Sequence, residues 1–277
     1  MSSIMSALEF FEKHPVFTRE EFCNFMISRG TTNSHTQQAT LSYHLKKKHI
    51  VRIQKSFYAK IPLLARNNFE SYSIDPYLIA GRIRRDAVLA YQSAFDFHGV
   101  SYSLHHQYLF MTRQPARAFE FRGEKYISLQ FPKVLIEQHQ ENFEVITVER
   151  QGMDIQVTSI ERTIVDVLDR PKHAGGWEEV WRSVEHIPIL NLNKVLEYAN
   201  LLNNATTIAK LGFFLEQFQQ QFDVNESILK SLEARKPGSV HYLERGKREP
   251  GTLLSRWNLV VPNSILKREW EEPNENF

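Results

Sequence analysis

The stretch that decides the fold of the N-terminal region is NSHTQQATLSYHLKKKHIVRIQKSFYAKI, residues 33–61. Its first half has helical spacing without Gly or Pro, and its second half alternates apolar and polar residues. We therefore expect a helix followed by a β-hairpin. Ser34 and Gln37 have the spacing of a capping box, in which two side chains bond the free amides at a helix start. The helix is predicted to begin there and to end at lysines 46–48.

A helical wheel divides this helix into two faces. The inward face would hold Gln38, Leu41, Leu45 and the aliphatic stem of Lys48. The outward face carries small groups, a tyrosine and two lysines: Thr36, Ala39, Thr40, Tyr43, Lys46 and Lys47. Short side chains let a helix approach base edges in the major groove, and lysines neutralise phosphates. The outward face is thus the candidate DNA-reading face.

The hairpin that follows adds two more cations. With a turn at Gln54–Ser56, Arg52 and Lys55 are expected on a wing that meets phosphate or the minor groove. Two alternatives remain. Lysines at a helix C-terminus also compensate the helix dipole, and a helix-turn-helix can dock proteins instead of DNA.

Two shorter helices are predicted upstream. One covers residues 6–13 and stops at His14-Pro15, because the residue before a proline is disfavoured in helices. The next opens at Thr18, whose capping box with Glu21 precedes an apolar stripe, and closes at Gly30. Three helices followed by a basic hairpin is the winged helix-turn-helix order, and we assign it to residues 1–65.

The distribution of charge agrees with a DNA-binding head. The 277 residues have a net charge of +2. Residues 1–62 hold nine Lys/Arg and four Glu, whereas the remainder holds 25 basic and 28 acidic residues. A basic head on a mildly acidic body is typical of a DNA-binding module joined to another domain. The single cysteine and the lack of a signal peptide or long apolar run lead us to expect a cytoplasmic protein.

Residues 70–277 are predicted to form an α+β body with a small antiparallel sheet and a mainly helical second half. Residues 86–99 are predicted to be helical, and alternation indicates strands at 108–112, 119–131 and 143–159. Thr158 and Glu161 have capping-box spacing at the start of the next helix. A final strand is expected near the C-terminus.

Together these motifs resemble a known family. The basic winged helix is followed by AVLAYQSAFDFHGV (87–100), YLFMT (108–112) and VTSIERTIVDVLDRPKHAGGWEEVWRSV (157–184). This combination is similar to the AbiEi family, the antitoxin and transcriptional-regulator half of type IV toxin–antitoxin systems. The likeness extends over nearly the whole chain.

The resemblance implies a function for each half. The head would bind inverted repeats in its own promoter and repress transcription, as a monomer binding cooperatively or as a homodimer. The body would counteract a nucleotidyltransferase-like toxin without a stable complex. The family motif maps onto five positions of expected structural role: Ser159, Glu161, Arg162, Thr163 and Asp166. A possible second basic patch for DNA or an acidic partner is formed by Arg245, Lys247, Arg248 and Arg256.

We find no motif for catalysis, and we predict no catalytic residues, no bound metal and no cofactor. Walker, GxGxxG and nucleophile-elbow motifs are absent from the sequence. Two alternatives stay open. A metal-dependent nuclease with a DNA-targeting head would depend on Glu149 and Asp154 of the 143–157 hairpin. A one-component regulator would instead bind a small ligand in its body.

Overall fold

A computed structural model describes residues 2–244 and 249–271. Among them, residues 2–60 form three helices and an antiparallel sheet with strand order β1-β3-β2. The elements are α1 (Ser2–Lys13), β1 (Val16–Thr18), α2 (Arg19–Ser28), α3 (Ser34–Lys46), β2 (Ile50–Gln54) and β3 (Phe57–Lys60). The helix and the hairpin expected from residues 33–61 are both present.

Aromatic side chains hold these elements together. Phe10, Phe11, Phe17 and Phe22 are buried, and the ring centroids of Phe11 and Phe17 lie 5.2 Å apart. Leu41 of α3 packs into the same cluster. Burial of one such side chain contributes roughly 1.5–3 kcal/mol, so the cluster fixes which side of α3 faces inward.

Local capping explains where α2 and α3 begin. The predicted box at α2 is confirmed: the Glu21 amide donates to Thr18 Oγ1 at 3.2 Å, and the Thr18 amide donates to Glu21 Oε2 at 2.7 Å. The predicted box at α3 is wrong. Asn33 caps that helix, and its Oδ1 accepts from the His35 and Thr36 amides. An Asn side chain caps a helix as well as Ser does.

A six-stranded sheet with the order β6-β7-β5-β4-β9-β8 forms the middle of the chain. Its strands and the helices between them are α4 (Pro76–Arg82), β4 (Val88–Leu89), α5 (Gln92–Phe97), β5 (Gln107–Thr112), β6 (Phe119–Phe121), β7 (Glu124–Gln130), α6 (Lys133–Glu137), β8 (Val145–Arg150) and β9 (Met153–Thr158). β4 pairs antiparallel with β5 and parallel with β9. The helix predicted over 86–99 is therefore wrong in its first part, where β4 lies.

The C-terminal part is mainly helical and ends in a small sheet with the order β10-β12-β11. Its elements are α7 (Ile160–Asp169), α8 (Trp177–Glu185), α9 (Leu192–Leu202), α10 (Ala205–Gln217), α11 (Gln219–Phe222), α12 (Glu226–Glu233), β10 (His241–Tyr242), β11 (Gly251–Leu254), β12 (Leu259–Pro262) and α13 (Asn263–Leu266). Short 3₁₀ turns cover Leu63–Asn68, Pro171–His173 and Glu269–Glu271.

The chain is a mixed α+β protein and divides into two compact units. The first comprises Met1–Leu89, His106–Leu129 and Thr147–Val157, and the second comprises Ala90–His105, Gln130–Ile146 and Thr158–Phe277. The predicted domain boundary at residues 65–70 falls inside the first unit. No helix within residues 2–244 and 249–271 is long and apolar enough to cross a bilayer.

Candidate nucleic-acid interface

The orientation of α3 is set by a buried polar and apolar stripe. Gln37, Thr40, Leu41 and His44 are buried, and their spacing of i, i+3, i+4 and i+7 is that of one helix face. Buried polar groups need hydrogen-bond partners. Gln37 Nε2 donates to the Thr31 carbonyl at 2.8 Å, so this polar residue is accommodated in the core.

The opposite face of α3 is exposed. It presents Thr36, Ala39, Tyr43, Lys46 and Lys47, with Tyr43 39% exposed. Neither of the two lysines forms an ion pair within the described part of the chain. This face therefore offers small side chains, one aromatic ring and two free cations to a partner.

Thr40 does not belong to the exposed face, which corrects the assignment made from the helical wheel. It is only 8% exposed, and its hydroxyl donates to the Thr36 carbonyl at 2.9 Å. The predicted inward face also changes, because Lys48 is exposed and lies beyond the helix end with a φ of 55°. The Lys48 ammonium lies 4.2 Å from the ring centroid of Phe69.

The β2–β3 hairpin places Arg52 and Lys55 at the surface. Both are exposed, and the Arg52 guanidinium lies 5.8 Å from the ring centroid of Tyr58. The pairing of the two strands shifts between Arg52 and Gln54. This irregularity breaks the simple alternation, so Ile50 and Ile53, three residues apart, are both buried while Arg52 stays outside.

The glutamates of the N-terminal segment are all engaged by cations away from α3. Glu9 pairs with Arg29 at 3.3 Å and with Lys13, and Glu12 pairs with Lys60. Glu20 pairs at 2.5 Å with Arg85, which lies just after α4, and Glu21 pairs at 2.5 Å with Arg82, the last residue of α4. The acidic charge of this segment is thereby neutralised internally. The exposed cations without a carboxylate partner in the described part of the chain then lie at Arg19, on α3 and the residues just after it, and at Arg52 and Lys55 of the hairpin.

A histidine pair lies under the C-terminal end of α3. The Nδ1 atoms of His44 and His49 are 2.7 Å apart, so one ring donates to the other. His44 is wholly buried and packs against the edge of Phe11. Burial, together with His49 and Arg66, lowers the pKa of His44 to about 4, and burial also lowers the pKa of His49.

The proposed second basic patch falls mostly outside the described residues, where Arg245, Lys247 and Arg248 lie. Arg256 is described, and it is not a free cation. Its guanidinium contacts three carboxylates, those of Glu216 at 2.9 Å, Glu226 at 2.5 Å and Glu233 at 3.2 Å. Its role is therefore to join these acidic side chains.

The family-like motif of α7 is buried and polar. The Arg162 Nη1 donates to the carbonyls of Glu141 and Phe143 at 2.6 Å each, and its Nε lies 3.4 Å from Asp166. The Tyr198 hydroxyl donates to Asp166 at 2.6 Å. Burial raises the pKa of the Asp166 carboxyl, and the Arg162 guanidinium opposes that rise. The network joins α7 to α9 and has no access to solvent.

The other motif residues form hydrogen bonds at the start of α7. Ser159, not Thr158, caps the helix by accepting from the Arg162 amide at 3.2 Å, so the predicted Thr158 box is wrong. Glu161 instead accepts from the Asn191 amide. The Thr163 hydroxyl bonds the Ser159 carbonyl at 2.7 Å.

A cavity with charged residues on its wall lies within the second unit. It measures about 500 Å³ and is lined by residues of α7, α10 and the segments beside them, including Arg170, Lys172 and Lys210. Asp169 on its wall accepts from Thr207 Oγ1 at 2.5 Å and from Asn204. No sequence motif indicates this cavity, because its wall combines residues 169–176 with residues 204–210 and 242–244.

The acidic residues considered for a nuclease are not gathered into a metal site. Glu149 of β8 and Asp154 of β9 are exposed. Among the described residues, no group of three or more His, Cys, Asp or Glu side chains is arranged to hold a metal ion.

A solved structure shares this fold. The crystal structure of the Rv2827c protein from Mycobacterium tuberculosis matches with a TM-score of 0.60 and 13% sequence identity, over 98% of this chain and 96% of that chain. No protein-family model matches the sequence, and no curated protein matches it. At this identity the likeness concerns the fold alone.

Proposed function

We propose that the chain is a DNA-binding transcriptional repressor and antitoxin of the AbiEi type, with residues 1–65 acting as a winged helix-turn-helix. The support for the head is its element order, α1-β1-α2-α3-β2-β3, and its sheet order, β1-β3-β2. In such a module the third helix enters the major groove and the hairpin lies beside it as a wing.

The observation that carries this proposal is the separation of charge. Every glutamate of residues 1–62 has a cationic partner, whereas Lys46, Lys47, Arg52 and Lys55 pair with no carboxylate in the described part of the chain. Free cations on a helix face and an adjacent hairpin suit a phosphate backbone. Ala39 and Tyr43 would then face base edges.

One head offers few cations, so stable binding would need two heads on an inverted repeat. Two half-sites one helical turn apart place two such helices on the same side of the duplex. The second head would come from a homodimer or from a neighbouring monomer bound cooperatively. Binding at its own promoter would then repress transcription.

The antitoxin part of the proposal concerns the body. It rests on the similarity of residues 157–184 to the AbiEi family, and the partner would be a nucleotidyltransferase-like toxin without a stable complex. Co-expression with such a toxin from the adjacent gene would test it. Growth should be restored by the wild-type chain and by the Lys46→Ala/Lys47→Ala variant alike, because antitoxicity is assigned to the body. Failure of the wild type to restore growth would refute it.

The repressor part is tested by fluorescence anisotropy with the DNA directly upstream of the gene. Removing two phosphate contacts should lower the slope of log affinity against log salt by about 1.8. That equals about a twelvefold smaller loss of affinity between about 50 and 200 mM salt. The Lys46→Ala/Lys47→Ala variant should show this change. Lys230→Ala/Lys267→Ala removes two exposed lysines of the second unit and should not.

Two results would contradict the repressor proposal. One is wild-type binding to upstream DNA that is no tighter than binding to random DNA. The other is an unchanged salt slope in the Lys46→Ala/Lys47→Ala variant, which would mean that the outward face of α3 does not meet phosphate.

The cavity favours a second candidate function, a regulator whose body binds a small ligand. On its wall, Arg170 is paired with Asp169 at 3.3 Å, whereas Lys172 is exposed, has no ion pair within the described part of the chain and suits an anionic ligand. Inorganic phosphate and nucleotides are suitable probes. A ligand that raises the unfolding temperature and also releases DNA would support this candidate, and a ligand that does neither would exclude that probe as an effector.

A further inference from the structure

A groove of about 650 Å³ lies in the first unit, apart from the outward face of α3. It is bounded by the first residues of α2, the β2–β3 turn and the residues that follow α4. The turn is held against α2, because the Arg19 amide donates to the Ser56 carbonyl at 2.8 Å. Residues distant in sequence are thus brought to a single concave surface.

The rim of this groove is cationic. Arg19, Lys55 and Arg84 line it, are exposed, and form no ion pair with any residue that the structure describes. The acidic residue on the rim, Glu20, is paired with Arg85 at 2.5 Å. The rim therefore carries an excess of positive charge that nothing inside the described chain compensates.

The lining also includes apolar side chains. Phe57 and Ile83 contribute to it, and each is at most 8% exposed. Because both side chains are buried, the exposed cations of the rim are the groups that would contact a ligand, and cations suit the phosphates of a nucleic-acid backbone. Backbone contacts of this kind position a protein on DNA without reading its sequence.

We propose that this groove holds a stretch of DNA backbone, with Arg19 and Arg84 as phosphate-contacting residues. The inference rests on the proposed DNA-binding function and extends it to Arg84, outside residues 1–65. Lys55 belongs both to the wing and to the groove, so the two surfaces are continuous. That continuity favours DNA over an acidic protein as the occupant.

Cys23 provides a direct test, because it lines the groove, is partly exposed and is the only cysteine of the chain. The rate of its alkylation by N-ethylmaleimide would be measured on the full chain with and without saturating upstream duplex. Bound backbone should slow the reaction several-fold. An unchanged rate at saturation would overturn the groove assignment.

A charge variant provides the second measurement. Arg19→Gln/Arg84→Gln should lower the salt slope of DNA binding by about 1.8, as expected for two lost phosphate contacts. Lys230→Gln/Lys267→Gln is the charge-matched control and should leave it unchanged. Both arginines are exposed and unpaired, so the variant should keep the wild-type unfolding temperature.

The outcomes separate this inference from the function on which it rests. Absence of DNA binding by the wild type would refute both. DNA binding with an unprotected Cys23 and an unchanged slope in Arg19→Gln/Arg84→Gln would refute the groove alone. Protection of Cys23 by polyglutamate as strong as that by DNA would assign the groove to an acidic protein and overturn the DNA assignment.

Discussion

The stability of the N-terminal segment should depend on pH through His44. This ring is wholly buried, packs on Phe11 and shares a hydrogen bond with His49. Burial is the main cause that lowers its pKa from 6.5 to about 4, and His49 and Arg66 add to the effect. In the unfolded chain the same imidazole would titrate near its ordinary value. The unfolded state therefore binds more protons at mildly acidic pH.

The sign and the size of the effect follow from this difference. The stabilisation is complete above pH 6.5 and is lost as the pH falls from 6.5 to about 4. A shift from 6.5 to about 4, at roughly 1.4 kcal/mol for each pKa unit, corresponds to about 3 kcal/mol. That is a large part of the 5–15 kcal/mol that is typical of folded domains.

Two measurements test the prediction. The first is an NMR titration of the His44 ring in the full chain, which should show no protonation until the pH is well below 6. The second is urea unfolding of the wild type and of His44→Phe between pH 7 and 4. Phe retains the contact with Phe11 and cannot be protonated, so the variant should lose less stability on acidification.

Either of two results would refute this account. Titration of His44 near pH 6.5 would mean that the folded protein tolerates the charged ring. Parallel pH profiles of the wild type and His44→Phe would mean that other groups control acid unfolding. His173 of the second unit, whose pKa burial also lowers to about 4, should be followed in the same titration.

Two further predictions concern α3 and the second unit. Thr40→Val should leave the DNA sequence preference unchanged, whereas Tyr43→Ala should change it, because of these two residues only Tyr43 is exposed. Selection of binding sites from a random DNA library would measure the preference of each variant, and equal shifts in the two variants would contradict the prediction. Gly212→Ala should destabilise the protein by about 2 kcal/mol in urea unfolding, because the new methyl group would lie 2.1 Å from the buried Trp257 ring. This steric overlap should outweigh the gain of about 1 kcal/mol that Ala provides in helix propensity. Gly238→Ala meets nothing within 4 Å and is the control, and a Gly212→Ala variant as stable as the wild type would show that the indole has room to move.

Local signals in the sequence located the elements of the head, but not every contact of α3. The box of Thr18 and Glu21 lies within four residues, so it could be recognised directly. The burial of Thr40 and His44 could not be recognised, because Leu41 and Leu45 are too few to define the inward direction of a helical wheel. Their burial depends on partners such as the Thr36 carbonyl and the His49 ring, which only the folded segment provides.

Pairing between distant segments explains the errors in the body. Val88 and Leu89 have a sequence compatible with a helix, yet they form a strand because they pair with residues 110–111 and 156–157. The prediction that Arg256 belongs to a free basic patch fails for the same reason. Its three carboxylate partners lie 23 to 40 residues away, so the local cluster of basic residues does not reveal that this cation is already neutralised.

These errors give a rule for finding the interface of this chain. A basic residue in the sequence indicates a binding surface only when it has no carboxylate partner within the chain, because a cation that is already paired contributes little to the binding of an anionic ligand. Arg82 and Arg85 are held by Glu21 and Glu20, whereas their neighbour Arg84 pairs with no described carboxylate. Adjacent arginines on one short segment therefore have different roles. We expect the affinity for DNA to come from the unpaired cations, which lie on α3, on the hairpin and in the groove.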